Sequence, residues 1–111
     1  ERKGKRVRVA LASKESIEFV DPHEIVLCVA SSNYTEVHLC DGSKRLISKT
    51  LKEFEELLTP YHFFRPHHSH LFNLNRVREF IRGDGGYLIM ENRMQVAVSK
   101  SKREELLSRL S

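Results

Sequence analysis

Apolar and polar positions alternate along the first stretch of the chain. Val7, Val9 and Leu11 are separated by Arg8, Ala10 and Ala12, the period-two pattern of a half-buried strand. Ile17, Phe19 and Val20 predict a second short strand. Asp21-Pro22 ends it, because proline has no N–H to give a ladder. Residues 25–30 are an unbroken apolar run of strand length, which predicts a central strand buried on both faces. Ser31-Ser32-Asn33 reads as a loop. Alternation returns over residues 34–39, and Asp41-Gly42 is a hairpin signal leading into residues 45–47.

The period then changes. Thr50 with Glu53 three residues on is a capping box, and Leu51, Phe54, Leu57 and Leu58 make one apolar face at helical spacing until Pro60. Residues 63–66 and 71–72 read as extended. Residues 77–81, 87–90 and 96–98 predict three more strands, the first two joined by Gly83-Asp84-Gly85-Gly86. Ser101 and Glu104 form another capping box for a last helix through Leu110, with Leu106, Leu107 and Leu110 on one face. The sum is a mainly β protein of about nine short strands with two short helices. The two helices are isolated from each other, so no helix-turn-helix can form.

At 111 residues the chain has the length of one domain and can bury a core without metal or disulfide. Its net charge of +4 is local: Arg2, Lys3, Lys5, Arg6 and Arg8 against Glu1 already give five minus one, and the rest is balanced. Residues 1–6 therefore read as a basic linker stub and residues 7–111 as the domain. The arm suits phosphate attraction, and equally a solvated linker. No apolar run approaches the roughly 18 residues of a membrane span, and the basic start lacks the apolar core of a signal peptide. A cytoplasmic protein without membrane contact is expected, with Cys28 and Cys40 as free thiols.

Four histidines, His62, His67, His68 and His70, are the conspicuous chemistry. If the segment is extended, His68 and His70 share one face and His67 takes the other, so one metal could not use all three. His38 and His62 read as packed or surface residues. Neither H-E-x-x-H nor paired C-x-x-C is present. The serines have no nucleophile-elbow context, and the glycines at 83–86 lack the helix and lysine of a phosphate loop. Glu53, Glu55 and Glu56 read as a solvated helix face. No enzyme activity, metal or cofactor is expected. Three polar loops remain: Ser32, Asn33, Tyr34 and Thr35; Arg65, His67, His68 and Ser69; and Ser99, Lys100, Ser101 and Lys102. Asn and Lys suit base edges, and Ser, Thr, His and Lys suit phosphates.

Taken in order, these segments resemble the LytTR DNA-binding domain from about Ile17 to Leu110. An apolar strand runs into a small-polar loop ending in Asn33-Tyr34. The hairpin at Asp41-Gly42 and the short helix after Thr50 follow. Phe64-Arg65, His67, Ser69 and Asn73 match the most specific signature, and Val96-Ala97-Val98-Ser99-Lys100 resembles the closing strand. The resemblance implies an elongated stack of small antiparallel sheets, with loops laid into successive major grooves of promoter DNA carrying direct repeats. It also implies the output half of a bacterial two-component response regulator, with a receiver domain N-terminal to it. On that pattern the DNA-contacting residues are Ser32, Asn33, Tyr34, His68, Ser69, Ser99 and Lys100, with Lys49 and Lys102 as phosphate contacts; His67 and Asn73 are mainly architectural. The chain departs from the family where His68 and Lys100 replace arginines and His70 replaces an aromatic. Arginine can grip guanine with two donors, whereas lysine is a point charge and neutral histidine offers one donor. A module of this size buries on the order of 1,000 Å² on DNA, so a monomer in isolation, paired on DNA, is expected. A protein-interaction module on the same fold, without DNA contact, is the alternative.

Overall fold

The computed structural model describes residues 7–83 and 86–110; the arm at 1–6 lies outside the described residues, as do Asp84 and Gly85. Among the described residues ten strands, two α-helices and three short 3-10 turns are observed, where the sequence suggested about nine strands. Five strands form the central antiparallel sheet: β3 (Ile25–Ser31), β4 (Tyr34–Leu39), β5 (Lys44–Ile47), β6 (Phe63–His67) and β7 (His70–Asn73), in the order β5-β4-β3-β7-β6. One face of this sheet carries the hairpin β1 (Val9–Ala12) and β2 (Ile17–Val20), with helix α1 (Leu51–Leu58). The other face carries a three-stranded sheet of β8 (Val77–Ile81), β9 (Tyr87–Met90) and β10 (Gln95–Ala97), with helix α2 (Lys100–Leu110).

Two apolar layers result. The first joins Val9, Leu11, Cys28, Val37, Phe54, Leu58 and Leu71; the second joins Leu27, Phe64, Phe72, Leu88, Met90, Val96 and Leu106. The run in β3 is buried on both faces, as its unbroken apolar character requires. Its alternation is broken once. The register moves from Ile25 opposite Leu39 to Leu27 opposite His38, so β3 holds an extra residue, a β-bulge. Ile25 therefore faces the first layer, while Val26 and Leu27 both face the second.

The capping box of α1 forms as expected: Glu53 N–H donates to Thr50 Oγ1 at 3.2 Å, and Thr50 N–H donates to Glu53 Oε1 at 2.8 Å. Leu51, Phe54 and Leu58 are buried, but Leu57 is exposed, because a short helix lying on one sheet face buries only a narrow stripe. α2 differs from expectation at its start. It begins at Lys100, which puts Ser101 inside the first turn and not at a Ser101/Glu104 cap. Leu106 is fully buried there, Leu110 packs at the margin, and Leu107 is exposed.

Candidate nucleic-acid interface

The sheet order decides which loops meet. β3 is antiparallel to both β4 and β7, and β6 is antiparallel to β7. The β3–β4 turn and the β6–β7 turn must then lie at the same end of the sheet. Both are two-residue loops. Ser31 pairs with Tyr34, leaving Ser32-Asn33 as the first turn, and Ser32 has the positive φ of 58° that the first position of a primed hairpin loop demands. His67 pairs with His70, leaving His68-Ser69 as the second turn. A backbone bond ties the turns together: Ala30 N–H donates to Ser69 O at 2.9 Å.

The start of α1 joins this pair through a buried threonine. Thr35, fully buried and the second residue beyond the first turn, donates its hydroxyl to Lys49 O at 2.6 Å. This draws the Lys49-Thr50 segment against β4. Lys49 lays its stem along the core, its Nζ 5.6 Å from the Phe54 ring centre. The result is an open concavity lined by Ala30, Ser32, Asn33, Tyr34, Thr50, Leu51, Lys52, Arg65 and His68. Asn33, Tyr34, Lys52 and His68 are exposed along it. Lys52 was not picked out from the sequence. Its signal was available, since it is a cation in the first turn of a helix that follows Lys49.

Arg65 has a different part from the one its charge suggests. Its guanidinium donates to Glu55 Oε1 at 2.9 Å, to His68 O at 2.9 Å and, through Nε, to His67 O at 3.3 Å. It thus clamps the carbonyls of the second turn to α1. Pro66, beside it, is buried at a bulge: Phe64 pairs with Phe72 but His67 with His70, so β6 has one residue too many. Proline fits there because a bulged residue needs no ladder donor.

The second turn also corrects the expected disposition of the histidines. Residues 67–70 are not extended but reverse direction, so His67 and His70 face each other, ring centres 4.8 Å apart. Ser69 Oγ lies between them, 2.9 Å from His67 Nδ1 and 3.0 Å from His70 Nδ1. Burial, then the neighbouring His68 and Arg65, hold His67 below the usual imidazole pKa; burial, then His67 and His68, do the same to His70. Among the described residues, no group of three or more histidine, cysteine, aspartate or glutamate side chains could hold a metal ion. Cys28 is buried and Cys40 exposed, both free, and burial pushes the Cys28 thiol pKa far up.

Asn73 is buried at the far end of β7. Its Nδ2 donates to Ile25 O at 3.0 Å and its Oδ1 accepts from Asn75 N–H at 2.9 Å, the backbone-bracing part expected of it. The third set of residues lies apart from the concavity. Ser99, Lys100 and Lys102 are exposed at the start of α2, on the layer across the sheet from α1. Ser99 Oγ is 3.3 Å from Ser101 Oγ, and Lys102 Nζ makes a long contact of 4.0 Å with Glu105. No helix among the described residues is long and apolar enough to cross a membrane.

Comparison with known proteins agrees with this architecture. The chain is 35% identical over 85 residues to the CO-responsive transcriptional regulator RcoM of Rhodospirillum rubrum, covering 76% of this chain and 36% of that protein. It is 28% identical over 78 residues to the sensory transduction protein LytT of Oceanobacillus iheyensis, covering 70% of this chain and 32% of that one. The chain thus spans about a third of the length of these relatives. A solved LytTr DNA-binding domain of a response regulator from Bacillus cereus superposes with a TM-score of 0.78 at 25% identity, over 97% of this chain and 99% of that one. The model of the LytTr DNA-binding domain matches residues 15–111, and the chain belongs to that family.

Proposed function

We propose that this domain binds double-stranded promoter DNA in a sequence-specific manner, as the output unit of a bacterial transcription regulator. The supporting observation is the concavity where Asn33, Tyr34, Lys52 and His68 from three elements converge at one end of the sheet. Polar groups brought together there suit a groove rim: Asn33 and His68 for base edges, Ser32, Tyr34, Lys49 and Lys52 for phosphates. Ser69 has its hydroxyl engaged by two imidazoles, so its part is to shape the turn. Ser99, Lys100 and Lys102 serve an adjacent groove. A single domain binds weakly and two copies on direct repeats bind firmly, held together by a receiver or other regulatory domain N-terminal to residue 7. The cytoplasm is the corresponding compartment.

Selection of bound duplexes from a random pool at two salt concentrations tests this. The expected result is a short motif recurring in direct repeat, with affinity falling as salt rises. The triple change Asn33→Ala, His68→Ala and Lys100→Ala abolishes the preference. Salt-sensitive binding without a motif, unaltered by the triple change, would refute the reading in favour of a protein-interaction module.

A further inference from the structure

The second turn carries a hydrogen-bond relay whose protons can be assigned from geometry. Ser69 N–H donates to His67 Nδ1 at 3.3 Å, and a backbone N–H can only donate, so His67 Nδ1 carries a lone pair and its proton sits on Nε2. Ser69 Oγ is 2.9 Å from the same nitrogen and must donate to it. That uses the one hydroxyl hydrogen. His70 Nδ1, 3.0 Å from Ser69 Oγ, must then be the donor, which leaves the lone pair of His70 on Nε2. The two rings are therefore opposite tautomers, set by one serine.

This arrangement treats an added proton asymmetrically. On His67 the proton would land on Nδ1, against the Ser69 N–H, and would force the hydroxyl to reverse. On His70 it lands on Nε2, leaves every bond in place, and makes the Nδ1–H···Oγ bond charge-assisted. The relay has room for one proton, at His70.

We propose that the His67–Ser69–His70 relay takes up a proton at His70 when the turn docks on a phosphate backbone, so that DNA binding is linked to pH. The inference rests on the DNA-binding reading above. The surroundings account for the coupling. The charged groups that act on the two rings are Arg65 and His68 of the same hairpin; Arg65 is itself bonded to Glu55 of α1, and on the other layer Arg109 of α2 lies over Phe64. In the strand pairing His70 stands opposite Val29 and His67. Among the described residues neither ring is ion-paired to a carboxylate; the imidazole that is, His38 with Glu36 at 3.2 Å, belongs to β4. Burial, then the neighbouring imidazoles of His67 and His68, hold His70 below the usual imidazole pKa in the free domain. A phosphate brought to the turn supplies the missing counter-charge and draws the proton in.

The test measures affinity for a duplex recovered in the selection above, from about pH 7.5 to about pH 5.5, on either side of an ordinary imidazole. The wild-type domain binds more tightly as pH falls, by up to about tenfold per pH unit for each proton taken up. In His70→Asn the side-chain amide stands where Nδ1 stood and still donates to Ser69, but it cannot accept the proton, and that part of the slope disappears. His68→Gln isolates the share of the exposed imidazole. His62→Gln, at the opposite end of β6, leaves the slope unchanged. Titration calorimetry on the wild type in two buffers of different ionisation heat counts the protons without any substitution. A flat profile with binding intact overturns this inference alone, as does an unaltered slope in His70→Asn or weaker binding in acid. Failure to bind any duplex at either pH overturns the DNA-binding reading and this inference with it.

Discussion

Thr35 makes the geometry of the interface testable without touching a residue that would meet DNA. Its methyl is buried in the sheet and its hydroxyl holds Lys49 O at 2.6 Å. Thr35→Val keeps the shape and deletes the bond, leaving a carbonyl with its partner gone. Losing one such bond costs about 1–2 kcal/mol. Thr35→Ser keeps the bond and deletes a buried methyl, which costs about 1 kcal/mol. For a domain of this size each kcal/mol lowers Tm by about 4–5 °C, so the two variants melt at similar temperatures, a few degrees below the parent. Affinity is what separates them. In Thr35→Val the Lys49-Thr50 segment is no longer held beside the first turn, so a phosphate contact at the start of α1 loosens. Binding weakens about three- to tenfold and the salt slope falls by about 0.9, the value for one phosphate. Thr35→Ser binds like the parent. Fluorescence anisotropy over a salt series, with thermal melts of the same preparations, provides both readings. Equal affinity for the two variants would refute the idea that this bond positions α1 for DNA.

Three further outcomes are expected. Asn73→Ala removes one buried and one part-buried hydrogen bond at the opposite end of the sheet and destabilises the domain by about 2–3 kcal/mol, measured by urea unfolding; a loss under about 0.5 kcal/mol would show that water replaces both bonds. Arg65→Met releases the carbonyls of the second turn and weakens DNA binding, while its exchange with a half-exposed Glu55 leaves stability within about 1 kcal/mol; unchanged affinity would show that the turn keeps its shape unaided. The folding stability of the free domain also depends on pH. His67 and His70 have folded pKa values lowered from 6.5, so their neutral forms favour the fold; the contribution is complete above 6.5 and is lost as pH falls through 6.5 toward the folded values. A urea midpoint lower at pH 5.5 than at 7.5 is the expected sign, with equal midpoints as the refutation.

The parts of this fold legible in the sequence are those in which one residue type has one physical reason to be where it is. The unbroken apolar run of β3 requires burial on both faces, and Thr50 with Glu53 requires a helix start; both are observed. The bulges in β3 and β6 were not legible, because an inserted residue shifts the alternation of everything beyond it without altering composition. The same difficulty hid the pairing of His67 with His70. Parity along an extended chain separates them, and only the reversal at His68-Ser69 brings them face to face. Arg65 is the converse case. An arginine in a polar loop looks like a free cation, and nothing in its neighbours says that Glu55, ten residues earlier, holds it.

The site itself depends on topology more than on any side chain. Antiparallel pairing in the order β4-β3-β7-β6 forces the first and second turns to one end of the sheet, and the bond that joins them, Ala30 N–H to Ser69 O, uses backbone atoms only. Residues in the turns can therefore change without separating them. That accounts for how His68 and His70 can stand where the family commonly has arginine and an aromatic while the fold still superposes over nearly the whole chain. The scaffold sets where the turns sit, and the side chains decide what they bind. Substitutions in the second turn should thus alter base preference and pH dependence while leaving thermal stability nearly untouched. Substitutions at Thr35 or Asn73 should do the reverse at first, lowering stability, and affect binding only where the bond they break leads to the interface. Thr35 leads there and Asn73, at the other end of β7, does not. A loss of affinity in Asn73→Ala that exceeds its fraction unfolded would show that the two ends of the sheet are coupled, contrary to this division.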